Sequence, residues 1–172
     1  MKNTLKEGYT LKKLLPCHWE EYQSIRLLAL KTNPEMFGSN YAQESAYTKN
    51  DWTALLENGL RGIFGLYHAK SLIGLSGVAI RKENPTTAIF FASFIEPAHR
   101  GKGLTKLFYE ARMEWVRQKQ CNLITVSHRL GNKTSEAAIK RFGFKYTNTE
   151  EVNWPDGILA PEIRYILELN EH

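Results

Sequence analysis

The chain has 172 residues, 42% of them hydrophobic and 24% charged, the balance of an ordinary globular protein with enough length for a substantial core in one domain, 1–172. Its 23 basic and 18 acidic residues leave a net charge of +5, which suits a polyanionic partner without choosing among nucleotide, nucleic acid and ribosome. Cys17 and Cys121 lie far apart with no clustered histidines, which argues against a disulfide framework or zinc site, and neither a secretory signal nor a membrane-length apolar run is visible, so the expected setting is a reducing cytoplasm.

In chain order, Tyr9 to Leu14 reads as an edge strand ended by Pro16, and His18 to Leu30 as a helix with Trp19, Tyr22, Ile25 and Ala29 on one side. A polar loop containing Pro34 to Ser39 follows, and Asp51 to Glu57 forms a short helix stopped at Asn58-Gly59. Gly62–Tyr67, Leu72–Ile80 and Thr87–Ile95 read as an antiparallel meander. The pattern then alternates: helix Leu104–Lys119, strand Leu123–Ser127, helix Asn132–Phe142, and strands near Phe144–Thr149 and Ile163–Leu169. No repeat or linker divides the chain.

Where the meander meets the alternation, the apolar run Ala88–Ile95 leads through Glu96-Pro97-Ala98-His99 into Arg100-Gly101-Lys102-Gly103-Leu104-Thr105 and an amphipathic helix. The two glycines permit close backbone approach, so several N–H groups can converge on an anion at the positive end of the helix dipole. Arg100 and Lys102 add charge at the rim. The plainer reading of the same residues is a basic turn that simply makes a tight strand-to-helix connection.

With these residues and a second segment, Asn132 through Gly143-Phe144, the chain resembles the GNAT superfamily of N-acetyltransferases. In that family the acetyl-CoA loop reads Arg/Gln-x-x-Gly-x-Gly/Ala after the fourth strand; here Thr105 stands at the usual Gly or Ala. The resemblance implies an α/β (α+β) fold with a central mixed sheet of about six to seven strands, mainly antiparallel, about four flanking helices, and a splayed strand pair at the CoA site. It implies acetyl-CoA as co-substrate without a metal, held by Arg100, Gly101, Lys102, Gly103, Leu104 and Thr105. It also implies that backbone groups at Phe94, Ile95 and Glu96 are free to bind the pantetheine arm, with the Ile95 N–H as oxyanion donor. Asn132 reads first as a helix N-cap and, by resemblance, second as a pantetheine contact.

Many members carry a Tyr where this chain has Ile139, and that hydroxyl protonates the departing CoA thiolate. Ile cannot; the candidate substitutes are Tyr146, otherwise a packed strand residue, and His128, otherwise an exposed strand-end residue. Glu96 is the leading candidate base for the acceptor amine, its other reading being a solvated strand-end carboxylate, with His128 and Glu44 behind it. Acceptor selection is expected from Glu35, Met36, Phe37, Tyr41 and the region around Trp154.

The expected reaction is acetyl transfer from acetyl-CoA to a primary amine of a small molecule or peptide, by direct attack in a ternary complex, with a homodimer as the prior assembly. The C-terminal half is similar to ribosomal-protein-type members. A noncatalytic acyl-CoA sensor is the alternative that Ile139 raises, and a nucleic-acid-binding module rests on net charge alone.

Overall fold

The computed structural model describes residues 8–170. Its centre is a seven-stranded sheet in the order β1-β2-β3-β4-β5-β7-β6. The first four strands, β1 (Tyr9–Lys13), β2 (Arg61–His68), β3 (Ser71–Arg81) and β4 (Asn84–Ile95), pair antiparallel. The turns joining β2 to β3 and β3 to β4 are too short for anything but hairpins. After β4 the chain crosses through a helix to β5 (Leu123–Arg129), which must therefore run parallel to β4. The hairpin β6 (Lys145–Asn153) and β7 (Leu159–Glu168) closes the order with β7 inside, antiparallel to β5.

Alternation along the strands divides the apolar side chains between two layers. On β2, Ile63 and Tyr67 pack with α1 (Trp19–Thr32) and α3 (Lys49–Glu57), while Phe64 and Leu66 join the cluster of α4 (Thr105–Gln118) and α5 (Lys133–Arg141). Trp52 of α3, fully buried, meets Tyr22 edge to face at 5.4 Å between ring centroids. Across the sheet, Tyr109 of α4 stacks on Phe142 at 4.0 Å.

The observed elements extend several of those read from the sequence. α3 begins at Lys49, ahead of the expected Asp51, because Thr48 and Asp51 form a reciprocal cap: the Thr48 N–H donates to the Asp51 carboxylate at 2.7 Å and the Thr48 hydroxyl accepts from the Asp51 N–H at 3.2 Å. The polar loop after α1 contains a further one-turn helix, α2 (Tyr41–Glu44), capped by the Asn40 side chain. What holds it is internal: Arg26 of α1 grips the Glu44 carboxylate with two bonds of 2.9 and 2.8 Å, both side chains buried, with the guanidinium 5.0 Å from the Phe37 ring centre. β6 runs four residues past the expected Thr149, its pairing with β7 continuing to Asn153 and Leu159. No helix among the described residues is long and apolar enough to cross a membrane.

Candidate active site

β4 and β5 pair only from Thr87–Leu123 to Ile89–Thr125 and then separate, β5 continuing on β7 as far as Arg129. β4 is bent at the same place. Its register against β3 passes from Phe91–Gly77 to Phe94–Leu75, so Ala92 and Ser93 together oppose Ser76, and Ala92 takes a left-handed φ of 57°. This β-bulge re-aims the strand. The Ser93 and Ser76 hydroxyls bond across it at 2.7 Å. A cavity of about 420 Å³ fills the gap, reaching from Phe90 and Val126 at its apex to the Arg100–Thr105 loop at its mouth.

Beyond the bulge, the Glu96 N–H donates to the Ile73 carbonyl at 2.8 Å, and Gly74–Ile95 and Leu75–Phe94 are the next pairs of that ladder. Alternation therefore turns the Phe94 backbone toward β3 and the Ile95 N–H and C=O toward the gap. Of the three backbone positions expected to be free, Phe94 and Glu96 serve the sheet, and Ile95 alone faces the cavity.

The loop follows a 3₁₀ turn, Pro97–His99, closed by bonds from the His99 N–H to the Glu96 carbonyl and the Arg100 N–H to the Pro97 carbonyl. Gly101 and Gly103 then adopt φ of 75° and 69°, the left-handed region that side chains resist. Leu104 occupies the N-cap of α4 and is buried in the core, so it fixes the start of the helix without capping it. The N–H groups of Gly101, Gly103, Leu104, Thr105 and Lys106 have no acceptor among the described residues. Donors grouped in this way at a helix N-terminus are an arrangement that favours an anion.

Arg100 lines the cavity and is also engaged within the protein. Its Nε donates to the Ile95 carbonyl at 2.7 Å and its Nη2 to Asn33 at 2.8 Å, tying the loop to the bulged strand and to the end of α1. Lys102 donates to the Tyr9 hydroxyl at 3.2 Å, which bonds to His99 Nδ1 at 2.8 Å, and both Lys102 and His99 line the mouth. Asn132 caps α5 by accepting the Ser135 N–H at 3.2 Å, and it lines the cavity as well.

The candidates for proton transfer are less gathered. His128 lines the cavity but is 4% exposed, not a strand-end residue in solvent, because β5 there lies between α5 and β7. Its Nδ1 donates to the Arg129 carbonyl at 2.8 Å and its Nε2 is bonded to the Tyr165 hydroxyl at 3.0 Å, so both nitrogens are engaged. Tyr146 is 60% exposed, bonded to Thr149, and does not line the cavity. Glu96 is half-buried and its carboxylate also lies outside the lining. Glu44 is held by Arg26. Ile139 is buried in the cavity wall. Among the described residues no carboxylate lines the cavity.

On the acceptor side, Met36 and Asn33 form part of the wall. Phe37 is core, Tyr41 lies under Lys31 at 4.4 Å, and the Trp154 indole N–H donates to the Ala160 carbonyl at 3.1 Å within the β6–β7 turn.

Ser93 and Arg112 are among the lining residues that escaped the sequence reading. Ser93 gave no signal, since a bulge is not visible in composition. Arg112 did give one: it falls four residues after Phe108 on the apolar stripe of α4. It is 1% exposed, its guanidinium lies 4.1 Å from the Phe90 ring centre and 4.7 Å from that of Tyr109, and burial draws its pKa down to about 10.

The sequence profile described as the Acetyltransferase (GNAT) family matches residues 19–144. Among curated proteins, sequence comparison finds no match. Among solved structures, the chain is similar to YncA of Salmonella typhimurium with its cofactor acetyl-CoA, at TM-score 0.80 and 16% identity over 96% of each chain. It is similar to the ribosomal-protein-S5-alanine acetyltransferase of Vibrio fischeri at TM-score 0.79 and 12% identity, over 95% of this chain and 94% of that one. The Salmonella typhimurium enzyme that modifies the N-terminal serine of ribosomal protein L7/L12 aligns at TM-score 0.76 and 14% identity, over 96% and 97%. With the strand gap, the left-handed Gly101–Gly103 loop and the open helix N-terminus all present, the chain belongs to the GNAT acetyltransferase family, whose acetyl donor is acetyl-CoA.

Proposed function

We propose that the protein transfers the acetyl group of acetyl-CoA to the α-amine of a peptide or protein N-terminus, by direct attack with both substrates bound. The observation that carries this choice is the absence of a carboxylate from the cavity lining among the described residues. An α-amine, with a pKa near ~7.7–8.0, is roughly one-quarter neutral at pH 7.4, whereas only about one lysine side chain in a thousand is. A site with no carboxylate to draw a proton away therefore suits the first acceptor. The ribosomal N-terminal acetylation named for two of the structural neighbours agrees with it.

In this reading the loop amides hold the pyrophosphate, the pantetheine arm lies along β4, and the Ile95 N–H meets the oxygen of the thioester. A fixed backbone donor aimed at a developing oxyanion is typically worth about 10²–10³ in rate. The amine enters past Met36 and Asn33, and its proton leaves through water. The thiolate departs beside Ile139 without a side-chain acid, which its pKa of about 8.5 permits. The free thiols, Cys17 exposed and Cys121 buried, accord with a cytoplasmic setting.

A panel of peptides with free or blocked N-termini, each with and without an internal lysine, tests this by mass spectrometry. Acetylation should fall on the free α-amine, with lysine-only peptides slower by on the order of 100-fold. Preference for the lysine amine would contradict the acceptor assignment. CoA binding with no turnover on any amine would support a sensor instead.

A further inference from the structure

The bulge leaves one hydroxyl proton without an acceptor among the described residues. Ser76 of β3 is fully buried, and its hydroxyl has a single partner, the Ser93 oxygen at 2.7 Å. A buried hydroxyl with no acceptor is costly, so Ser76 donates and Ser93 accepts. The Ser93 O–H is then free to donate in turn, strengthened by the bond it receives, and Ser93 is exposed and lines the cavity. The other polar side chains that the two separating strands bring to the cavity are already engaged. Ser127 donates to Glu162 at 2.6 Å, and both His128 nitrogens are bonded. Among the described residues of β4 and β5 that line the cavity, Ser93 is the one side-chain donor left open.

Position selects what that proton meets. β4 runs from Phe90 at the apex to the loop at the mouth, and Ser93 stands two residues inward of Ile95, on the same side of the strand by alternation. The Ile95 nitrogen lies on the Ser93 side of its own Cα, about 5 Å from the Ser93 Cα in an extended strand, a span that one oxygen can bridge with two hydrogen bonds. We propose that Ser93 is a catalytic residue whose hydroxyl donates to the thioester oxygen beside the Ile95 N–H, with Ser76 orienting it from behind. This rests on the donor-site reading above. As the amine forms the C–N bond at the thioester carbon, the C=O electron pair moves onto that oxygen, where both donors meet it. The pair returns as the C–S bond breaks, the sulfur leaves with its bonding electrons, the ammonium proton passes to water, and Ser93 keeps its own proton.

Binding without an acceptor separates this from the choice of amine. Calorimetric titration of the whole protein compares acetyl-CoA with CoA and with S-ethyl-CoA, in which a methylene replaces the carbonyl. The wild type should bind acetyl-CoA more tightly than S-ethyl-CoA. Ser93→Ala should lower that ratio by roughly three- to ten-fold, as one neutral hydrogen bond supplies, with its affinity for CoA held within about two-fold. Ser93→Thr, which keeps the hydroxyl, should retain the ratio. With an acceptor peptide, Ser93→Ala should lower kcat by about 10²-fold, and Ser76→Ala, which leaves the Ser93 O–H in place, by no more than about ten-fold. A hydroxyl pair that only braces the bulge would give the two alanine variants the same loss. A ratio unchanged in Ser93→Ala, or a Ser76→Ala as damaging as Ser93→Ala, would overturn the inference and leave acetyl transfer standing. Failure of CoA itself to bind would overturn the donor site and the inference together.

Discussion

Replacing Gly103 by valine is expected to weaken CoA binding by two to three orders of magnitude while the protein remains folded. Gly103 sits at φ 69°, where an L-residue is strained by about 1–2 kcal/mol and a β-branched one more. The larger part of the loss is in the ligand. If the loop relaxes out of the left-handed region, the amides of Gly103 and Leu104 no longer converge with those of Thr105 and Lys106, and hydrogen bonds to a charged group are worth about 1.5–3 kcal/mol each. Two such bonds together are worth about 3 kcal/mol or more, at least roughly two orders of magnitude in affinity. Calorimetry with CoA reads the effect, and the unfolding temperature without CoA shows whether the fold persists. Undiminished affinity in a folded variant would remove the loop from the donor site.

Glu44→Ala is expected to be the most damaging single change to the acceptor side. The substitution strands Arg26, which is buried, already has one guanidinium nitrogen without a partner, and would keep only its contact with the Phe37 ring. Breaking a buried pair from one side costs about 3–5 kcal/mol, and for a chain of this size that lowers the unfolding temperature by on the order of 10 °C. The double replacement Arg26→Leu with Glu44→Leu should recover most of it, since it removes the uncompensated charge along with the bond. Thermal unfolding of the two single variants and the double variant measures this. A single variant as stable as the wild type would show that the pair does not hold α2 in place. Because Met36 belongs to the same connection, the single variant should also raise the acceptor's KM more than that of acetyl-CoA.

The features legible in the sequence were those with a local cause. Periodicity marks the meander and the long helices, and two glycines between a strand and a helix mark the left-handed loop that opens α4. Asn132 was readable as a cap because capping depends on residues three apart. What could not be read depends on partners distant in the chain. The bulge at Ala92 and Ser93 exists only against Ser76, and it decides that Ile95, not Phe94 or Glu96, offers its backbone to the gap. Nothing local to Arg100 shows that the Ile95 carbonyl and Asn33 stand within its reach. His128 looked like a solvated strand end because the covering elements, α5 and β7, come later in the chain. Arg112 is the intermediate case, a charge inside an apolar stripe whose burial the spacing foretold and whose place at the cleft floor it did not.

A crystal structure of the protein with acetyl-CoA tests the donor site most directly. The pyrophosphate should lie on the amides of Gly101 and Gly103–Lys106, and the thioester in the β4–β5 gap with the Ile95 N–H on the donor's side of the strand. A donor bound with its pyrophosphate away from that loop, or with its thioester outside the gap, would contradict it.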